Sequence, residues 1–135
     1  MRGELPATHL VRDETCVAIL SINPISPGHA LVIPRAEVDQ WLDLPEATRD
    51  HLFRVAHAVG LAQREVFGCA RVGLAIAGFE VPHTHLHVIP MFSMDEMRFE
   101  RAAPARTQVQ LETAARPQRA VLRRTGLPGV VDDPH

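Results

Sequence analysis

The stretch EVPHTHLHVIP, residues Glu80 to Pro90, places His83, His85 and His87 at every second position. Successive side chains of a β-strand point to opposite faces of the sheet, so the spacing predicts three imidazoles on one face. The residues between them, Thr84 and Leu86, would share the opposite face, which is suited to a core. We call His83, His85 and His87 the histidine row and expect it to be functional.

Two kinds of chemistry are compatible with such a row. Histidines at alternate positions can share one zinc ion, but the outer two would lie about 13 Å apart at Cα, so a site would need a pair from the row plus another ligand such as His29. Alternatively, a neutral imidazole can attack a phosphoryl group while its neighbours donate hydrogen bonds to the oxygens. A phosphate could then approach the backbone near Gly78 to Val81, where a glycine permits close contact. The pattern alone ranks the two about equally.

The sequence before the row predicts two strands and a long helix. Residues Thr15 to Ser21 and Ala30 to Pro34 form short apolar runs, joined by a loop that carries Ser21, Asn23 and His29. From Asp43 onward apolar residues recur at helical spacing, and Gly68 is suited to end that helix. Asp43 with Glu46 fits a capping box, and Pro45 suits a first helical turn.

The order of the elements indicates the fold class. A glycine-containing strand is expected over Ala70 to Phe79, and the histidine row would form its antiparallel neighbour. Strand, strand, helix, strand, strand predicts an α+β domain whose mainly antiparallel sheet is backed by the helix.

The C-terminal part of the chain has a different composition, with many arginines and interrupting prolines. We therefore divide the chain into a domain over residues 1–100 and an Arg/Pro-rich extension over 101–135, partly helical or irregular. Thr107 with Gln110 could cap a short helix through Ala115, which Pro117 would end or kink. The arginines after residue 97 are expected to be solvated.

Composition limits the partners and the compartment. A net charge of −2 over 135 residues gives no general attraction to nucleic acid or to an anionic membrane. No apolar run approaches the length of a membrane span, and the N-terminus lacks the apolar segment of a signal peptide. Cys16 and Cys69 are too few for a disulfide framework and are expected to be buried thiols, so a cytoplasmic location is predicted.

Together with INPISPGHALVIPR, residues 22–35, the His-x-His-x-His pattern and its two following apolar residues resemble the histidine triad family of nucleotide hydrolases and transferases. The resemblance covers about residues 3–92. It implies an antiparallel sheet of about five strands with one long helix, a short helical or irregular C-terminal segment, and a homodimer. The implied activity is at the α-phosphate of a purine nucleoside monophosphate derivative: a phosphoramidate, an acyl-adenylate or a dinucleoside polyphosphate.

The resemblance also implies roles for individual residues. His85 would be the nucleophile that forms a nucleotidyl-histidine intermediate, with His83 and His87 beside it on the phosphate and His29 as the fourth histidine of the pocket. The nucleotide would be held by a second group of residues: Ser21 at the ribose, Ile19 and Ile22 at the base, and Gly78, Glu80 and Val81 at the phosphate-side turn.

Two alternatives remain open at this stage. Ser21, Val72 and Phe79 depart from the family pattern, which is compatible with a nucleotide-binding or regulatory module without turnover. A metal-dependent hydrolase that uses the histidine row is the other. The favoured mechanism requires no cofactor and no metal site, although the row could bind a divalent metal adventitiously.

Overall fold

The computed structural model describes residues 7–79 and 81–134, and within them one sheet carries the fold. Its strands, in chain order, are β1 (His9–Arg12), β2 (Cys16–Leu20), β3 (Ala30–Pro34), β4 (Arg71–Ala75) and β5 (Leu86–Met91). They lie in the spatial order β1-β2-β3-β5-β4, and every neighbouring pair is antiparallel. The predicted α+β class with an antiparallel five-stranded sheet is confirmed.

The helix α1 (Glu46–Phe67) packs across the sheet and supplies much of the core. Its fully buried apolar residues, spaced at three and four positions, meet buried residues of the central strands. They are Leu52, Val55, Val59 and Ala62 on the helix, facing Val32, Leu86 and Val88. Gly68 ends the helix in the left-handed conformation, with φ of 60°, as predicted.

The start of α1 differs from the prediction. Pro45 occupies the N-cap position and no side chain caps the helix, while Asp43 lies in a separate 3-10 turn, Trp41–Asp43. The predicted capping box of Asp43 with Glu46 is therefore wrong. Leu44, which follows the 3-10 turn, has an extended backbone and precedes the N-cap residue Pro45, so Asp43 lies two residues before the N-cap.

Two strands are shorter than predicted. β4 ends at Ala75 rather than Phe79, and β5 begins at Leu86 rather than at His83. The backbone before β5 is bonded elsewhere: the His83 N–H donates to the Val81 carbonyl, and both the N–H and the hydroxyl of Thr84 donate to the Val38 carbonyl, at 2.7 Å each. Strand pairing therefore begins only after His85.

The C-terminal helix α2 (Gln108–Arg124) begins with the predicted capping box of Thr107 and Gln110 but continues beyond Pro117. Of the two outcomes predicted for Pro117, an end or a kink, the end is wrong, because α2 runs on to Arg124. A proline inside a helix costs about 3 kcal/mol. Burial of Leu111, Ala115 and Leu122 against the rest of the core offsets that cost.

The segment after α2 returns along the outer edge of β1. The Arg12 N–H donates to the Gly129 carbonyl at 2.8 Å, the Val131 N–H donates to the Leu10 carbonyl at 3.0 Å, and Val11 pairs with Val130. In the described part of the chain, no helix has the length and apolar character to cross a membrane.

Candidate functional site

The loop between β2 and β3 is docked firmly enough to hold His29 in one place. Gly28 has a φ of 90°, and a Cβ on it would lie 2.2 Å from the ring of Phe67, so only glycine fits. The buried side-chain amide of Gln63 on α1 donates to the carbonyls of Gly28 and Val88, at 3.0 and 2.9 Å. Ser26 donates its hydroxyl proton to the Pro90 carbonyl at 2.6 Å. The loop is thus tied to both α1 and β5.

A chain of hydrogen bonds fixes the tautomers of two histidines. The Ile25 N–H donates to Nδ1 of His29 at 3.1 Å, so in the neutral ring the proton lies on Nε2. Nε2 of His29 is 3.0 Å from Nδ1 of His87 and therefore donates to it. His87 must then carry its own proton on Nε2, where it can donate a hydrogen bond to a bound group.

Both rings are held neutral. Burial, reinforced by His87, lowers the pKa of His29 to about 4, and burial together with His85 lowers the pKa of His87 to about 4. Near pH 7 neither imidazole carries a charge, which the hydrogen-bond chain requires.

His85 has the opposite tautomer to His29 and His87. Its Nδ1 lies 2.8 Å from the carbonyl oxygen of His83, which can only accept, so Nδ1 carries the proton and Nε2 keeps its lone pair. Its ring centroid is 4.9 Å from that of His87, at an interplanar angle of 67°. The site therefore presents one bare ring nitrogen, on His85, beside one ring N–H, on His87.

His83 is directed to the end of β3. Its Nε2 donates to the Pro34 carbonyl at 2.7 Å. His83 therefore contributes its backbone carbonyl to His85 while its Nε2–H is used by the scaffold. The structure brings His29, His85 and His87 together through ring contacts, and it links His83 to them through the main chain.

The predicted nucleotide contacts are distributed unevenly. Ser21 lies beside His29, whose carbonyl accepts its N–H at 2.9 Å, whereas Ile19 is half-buried on β2 and Ile22 is 52% exposed. In the phosphate-side turn, Gly78 adopts a φ of 88° and Val81 is 53% exposed. Glu80, predicted for the same turn, lies outside the described residues.

Sequence reasoning missed two residues near the site. Phe99, in the 3-10 turn Phe99–Arg101, places its ring 4.8 Å from that of His87 in an edge-to-face arrangement. No periodicity in residues 91–107 indicates this contact. Arg106 lines a cavity of about 110 Å³ together with Ser21, His29 and Gln110. The sequence could have placed Arg106 at the start of a helix, because it directly precedes the capping residue Thr107.

The segment before α2 is tied to the β2–β3 loop. The Arg106 N–H donates to the Ile22 carbonyl at 2.8 Å, the Ala103 N–H donates to the Pro24 carbonyl at 2.9 Å, and the Asn23 side chain donates to the Ala103 carbonyl at 3.1 Å. Residues beyond 100 therefore form part of the wall around Ser21.

Metal-ligating groups are concentrated elsewhere. Among the residues that the structure describes, one group of three brings its ligand atoms within 4.8 Å of one another, namely Asp13, Cys16 and His51. The histidine row and His29 do not form such a group. Both cysteines are free and buried, as expected.

Comparison with known proteins gives consistent matches. Residues 2–94 match the family model described as HIT domain. An uncharacterized HIT-like protein of Borreliella burgdorferi is 32% identical over 79% of this chain and 82% of its own length. A Zn-bound histidine triad family protein from Mycobacterium smegmatis, solved by crystallography, is 30% identical, covers 92% of this chain and 89% of its own, and superposes with a TM-score of 0.75.

Two characterised relatives are longer proteins. The adenylylsulfatase HINT3 of Arabidopsis thaliana is 31% identical over 70% of this chain, which spans 51% of it. The asymmetrical bis(5'-nucleosyl)-tetraphosphatase of Schizosaccharomyces pombe is 34% identical over 62% of this chain, which spans 49% of it. The chain thus spans about half the length of each.

Proposed function

Because the chain belongs to the HIT (histidine triad) family, we propose that it is a nucleotide hydrolase or nucleotidyl transferase that acts through His85. The substrate class is a nucleoside monophosphate joined through its α-phosphate to a leaving group. Both characterised relatives are named for nucleotide substrates, an adenylyl sulfate and a bis-nucleosyl tetraphosphate, which supports this class.

One observation carries the proposal: the Nδ1–H of His85 is held by the His83 carbonyl. The lone pair on Nε2 is then free to attack the α-phosphorus, forming an N–P bond as the bond to the leaving group breaks. The ring becomes cationic in that step, which strengthens its hydrogen bond to the carbonyl. Water then cleaves the N–P bond and releases the nucleoside monophosphate.

His87 would assist through its Nε2–H. The hydrogen bond from His29 fixes this proton on the side away from His29, where it can donate to an oxygen of the α-phosphate. Neutral His87 already carries this proton, so it can donate the hydrogen bond without first being protonated. Burial keeps the ring neutral because it lowers the pKa of His87. The role of His83 is positioning, since its side chain anchors the backbone whose carbonyl holds His85.

Nucleotide binding is proposed for the residues around the β2–β3 loop and the turn at Gly78. Ser21 would contact the ribose, Ile19 and Ile22 the base, and Gly78, Val81 and Glu80 the phosphate side. The exposed faces of Ile22 and Val81 support contact with a ligand, since large apolar side chains at a binding surface are often left open. A purine derivative of phosphoramidate, acyl-adenylate or dinucleoside polyphosphate type is the proposed substrate.

The test is release of AMP from adenosine 5'-phosphoramidate in excess chelator. We expect turnover by the wild-type protein, and a loss of at least about 10⁴-fold in kcat for His85→Ala, since a nucleophile has no substitute. His57→Ala is the matched control, because His57 is an exposed histidine on α1. Quenching in alkaline denaturant, in which the N–P bond is stable, should trap an AMP adduct on the peptide that contains His85. Full turnover by His85→Ala would overturn the proposal.

Two other outcomes would select the alternatives. AMP binding without turnover in the wild-type protein would indicate a nucleotide-binding module. This alternative is motivated by Ser21, Val72 and Phe79, of which Phe79 is wholly exposed. Activity that is lost on chelation and restored by zinc would indicate a metal-dependent hydrolase.

A homodimer formed through β4 is a further part of the proposal. Within the described residues β4 pairs with β5 on one side only, and its other edge has no partner strand. Leu74 on this strand is 44% exposed, and a groove of about 600 Å³ lies between β4 and α1, lined by Phe53, Leu61 and Val72 among others. A second copy in antiparallel register would pair this edge and cover the groove.

The dimer is tested by light scattering coupled to size exclusion. The wild-type protein is expected to elute as a dimer, and Leu74→Arg as a monomer, because the new charge would have to be buried at the pairing edge. Leu42→Arg is the control, since Leu42 is the same residue type and is 72% exposed, but lies in the Trp41–Asp43 turn. A wild-type monomer would contradict the dimer without affecting the catalytic proposal.

A further inference from the structure

A second group of reactive side chains lies at the turn between β1 and β2. Asp13 follows β1, Cys16 opens β2, and His51 lies near the start of α1. Nε2 of His51 is 2.7 Å from Oδ2 of Asp13, and Sγ of Cys16 is 4.0 Å from the same oxygen. All three ligand atoms lie within 4.8 Å of one another. None of the three residues belongs to the proposed catalytic mechanism.

We propose that Asp13, Cys16 and His51 form a binding site for zinc or a similar thiophilic divalent cation. Tetrahedral zinc binds oxygen and nitrogen at about 2.0–2.1 Å and sulfur at about 2.3 Å, so its ligand atoms lie about 3.3–3.8 Å apart. The observed separations bracket this range. For a cation to enter, Nε2 of His51 must move about 0.6 Å away from Oδ2 of Asp13 and Sγ of Cys16 about 0.5 Å towards it, and the cation then replaces the hydrogen bond between His51 and Asp13.

The surroundings hold the ligands in place. Oδ1 of Asp13 accepts the N–H groups of Thr15 and Cys16, both at 2.8 Å, which fixes the carboxylate and leaves Oδ2 directed at His51. The side chains of Asp13 and His51 are 21% and 27% exposed, whereas Cys16 is fully buried. The site is thus reached from the solvent side, with the sulfur at its base, and a water molecule would complete the four ligands.

The charges balance when the cation is bound. A thiolate, a carboxylate and a neutral imidazole together neutralise a divalent ion. The Cys16 thiol would release its proton to the solvent as the cation binds, because the bound cation stabilises the thiolate. Arg35 donates its Nε–H to the Asp13 backbone carbonyl at 2.6 Å, an atom that the cation does not use.

The experiment loads the full-length protein with Zn²⁺, removes free metal by dialysis and measures bound zinc. We expect one zinc per chain, with affinity reduced by more than about 100-fold in Cys16→Ser and in His51→Ala, since loss of an outer hydrogen-bond partner alone costs about 10- to 100-fold. Cys69→Ser and His57→Ala are the controls, one a second buried thiol and the other an exposed histidine on the same helix. Both should retain zinc.

A second measurement covers the case in which Cys16→Ser does not fold. Cobalt(II) bound to the wild-type protein should show the near-ultraviolet charge-transfer band of a thiolate–cobalt bond. Cobalt binding without that band would overturn the proposal. So would zinc that is retained by His51→Ala but lost in His87→Ala, which would place the metal at the histidine row instead.

Discussion

The buried histidine His29 should make the stability of the protein depend on pH in a way that one substitution removes. Its pKa falls from 6.5 to about 4 on folding, chiefly through burial. Since the unfolded chain binds the proton more readily, the free energy of unfolding is highest above pH 6.5 and declines as the pH falls from 6.5 to 4. A shift of this size lowers the free energy of unfolding by about 2 kcal/mol at pH 5 and by about 3 kcal/mol once the pH is below 4.

The substitution His29→Asn tests this magnitude. Asparagine does not titrate and its side-chain oxygen can still accept from the Ile25 N–H, although the link to His87 is lost. Urea unfolding at pH 7 and at pH 5 gives the loss of stability in each protein. The loss should be smaller in the variant by about 2 kcal/mol, because the carboxylates that also titrate in this range are common to both proteins.

The contribution of His87 should persist in this variant, because burial and His85 lower its pKa. Equal losses in the wild-type protein and in His29→Asn would refute the reasoning, since they would show that His29 titrates alike in the folded and unfolded states.

Three further predictions concern the scaffold of the site. Gly28→Ala should lower the free energy of unfolding by about 2–4 kcal/mol, and adding Phe67→Ala should recover part of this in urea titrations, because the positive φ remains while the clash is removed. Gln63→Leu should lower the free energy of unfolding by about 2–4 kcal/mol, since two buried carbonyls lose their donor. It should also reduce AMP release, because the loop that carries His29 is loosened. Unchanged stability would contradict this prediction. Arg119→Met should lower the free energy of unfolding by about 3–5 kcal/mol and expose the C-terminus to limited proteolysis. The control is Arg116→Met, which should change the free energy of unfolding by less than about 1 kcal/mol, because Arg116 is exposed.

The alternation of the histidine row was a reliable sign of the fold. His83, His85 and His87 are half-buried and the residues between them are buried, although only His87 lies in a strand. Local spacing predicts which side chains share a face. It does not predict where pairing begins, because that depends on the Val38 carbonyl, which is distant in sequence.

The C-terminal region shows where sequence reasoning fails. The arginines after residue 97 were expected to be solvated, but Arg119 is 2% exposed. It donates to the His9 carbonyl and to the carboxylates of Glu112 and Asp133. The two carboxylates, Glu112 most of all, keep the pKa of Arg119 above its usual value. Composition cannot separate one buried arginine from its exposed neighbours, because its partners lie on β1, two turns earlier on α2 and beyond the end of α2.

The same limit applies to the site itself. The sequence indicated His29 and the histidine row but not that the side chain of His83 bonds Pro34, nor that Phe99 packs against His87. These contacts depend on tertiary packing. The tautomer of each ring is set by the hydrogen-bond partners of its two nitrogens, and the sequence pattern does not predict those partners.

The strip of chain that lies along β1 has a consequence for how copies of this protein can aggregate. Residues Gly129 to Val131 occupy the hydrogen-bonding positions on that side of the sheet. Edge-to-edge polymerisation requires each copy to offer two open edges, one for the copy before it and one for the copy after it. Among the described strands this leaves β4 as the one open edge. A molecule with one open edge can pair with one neighbour only, so edge-to-edge growth would stop at two copies.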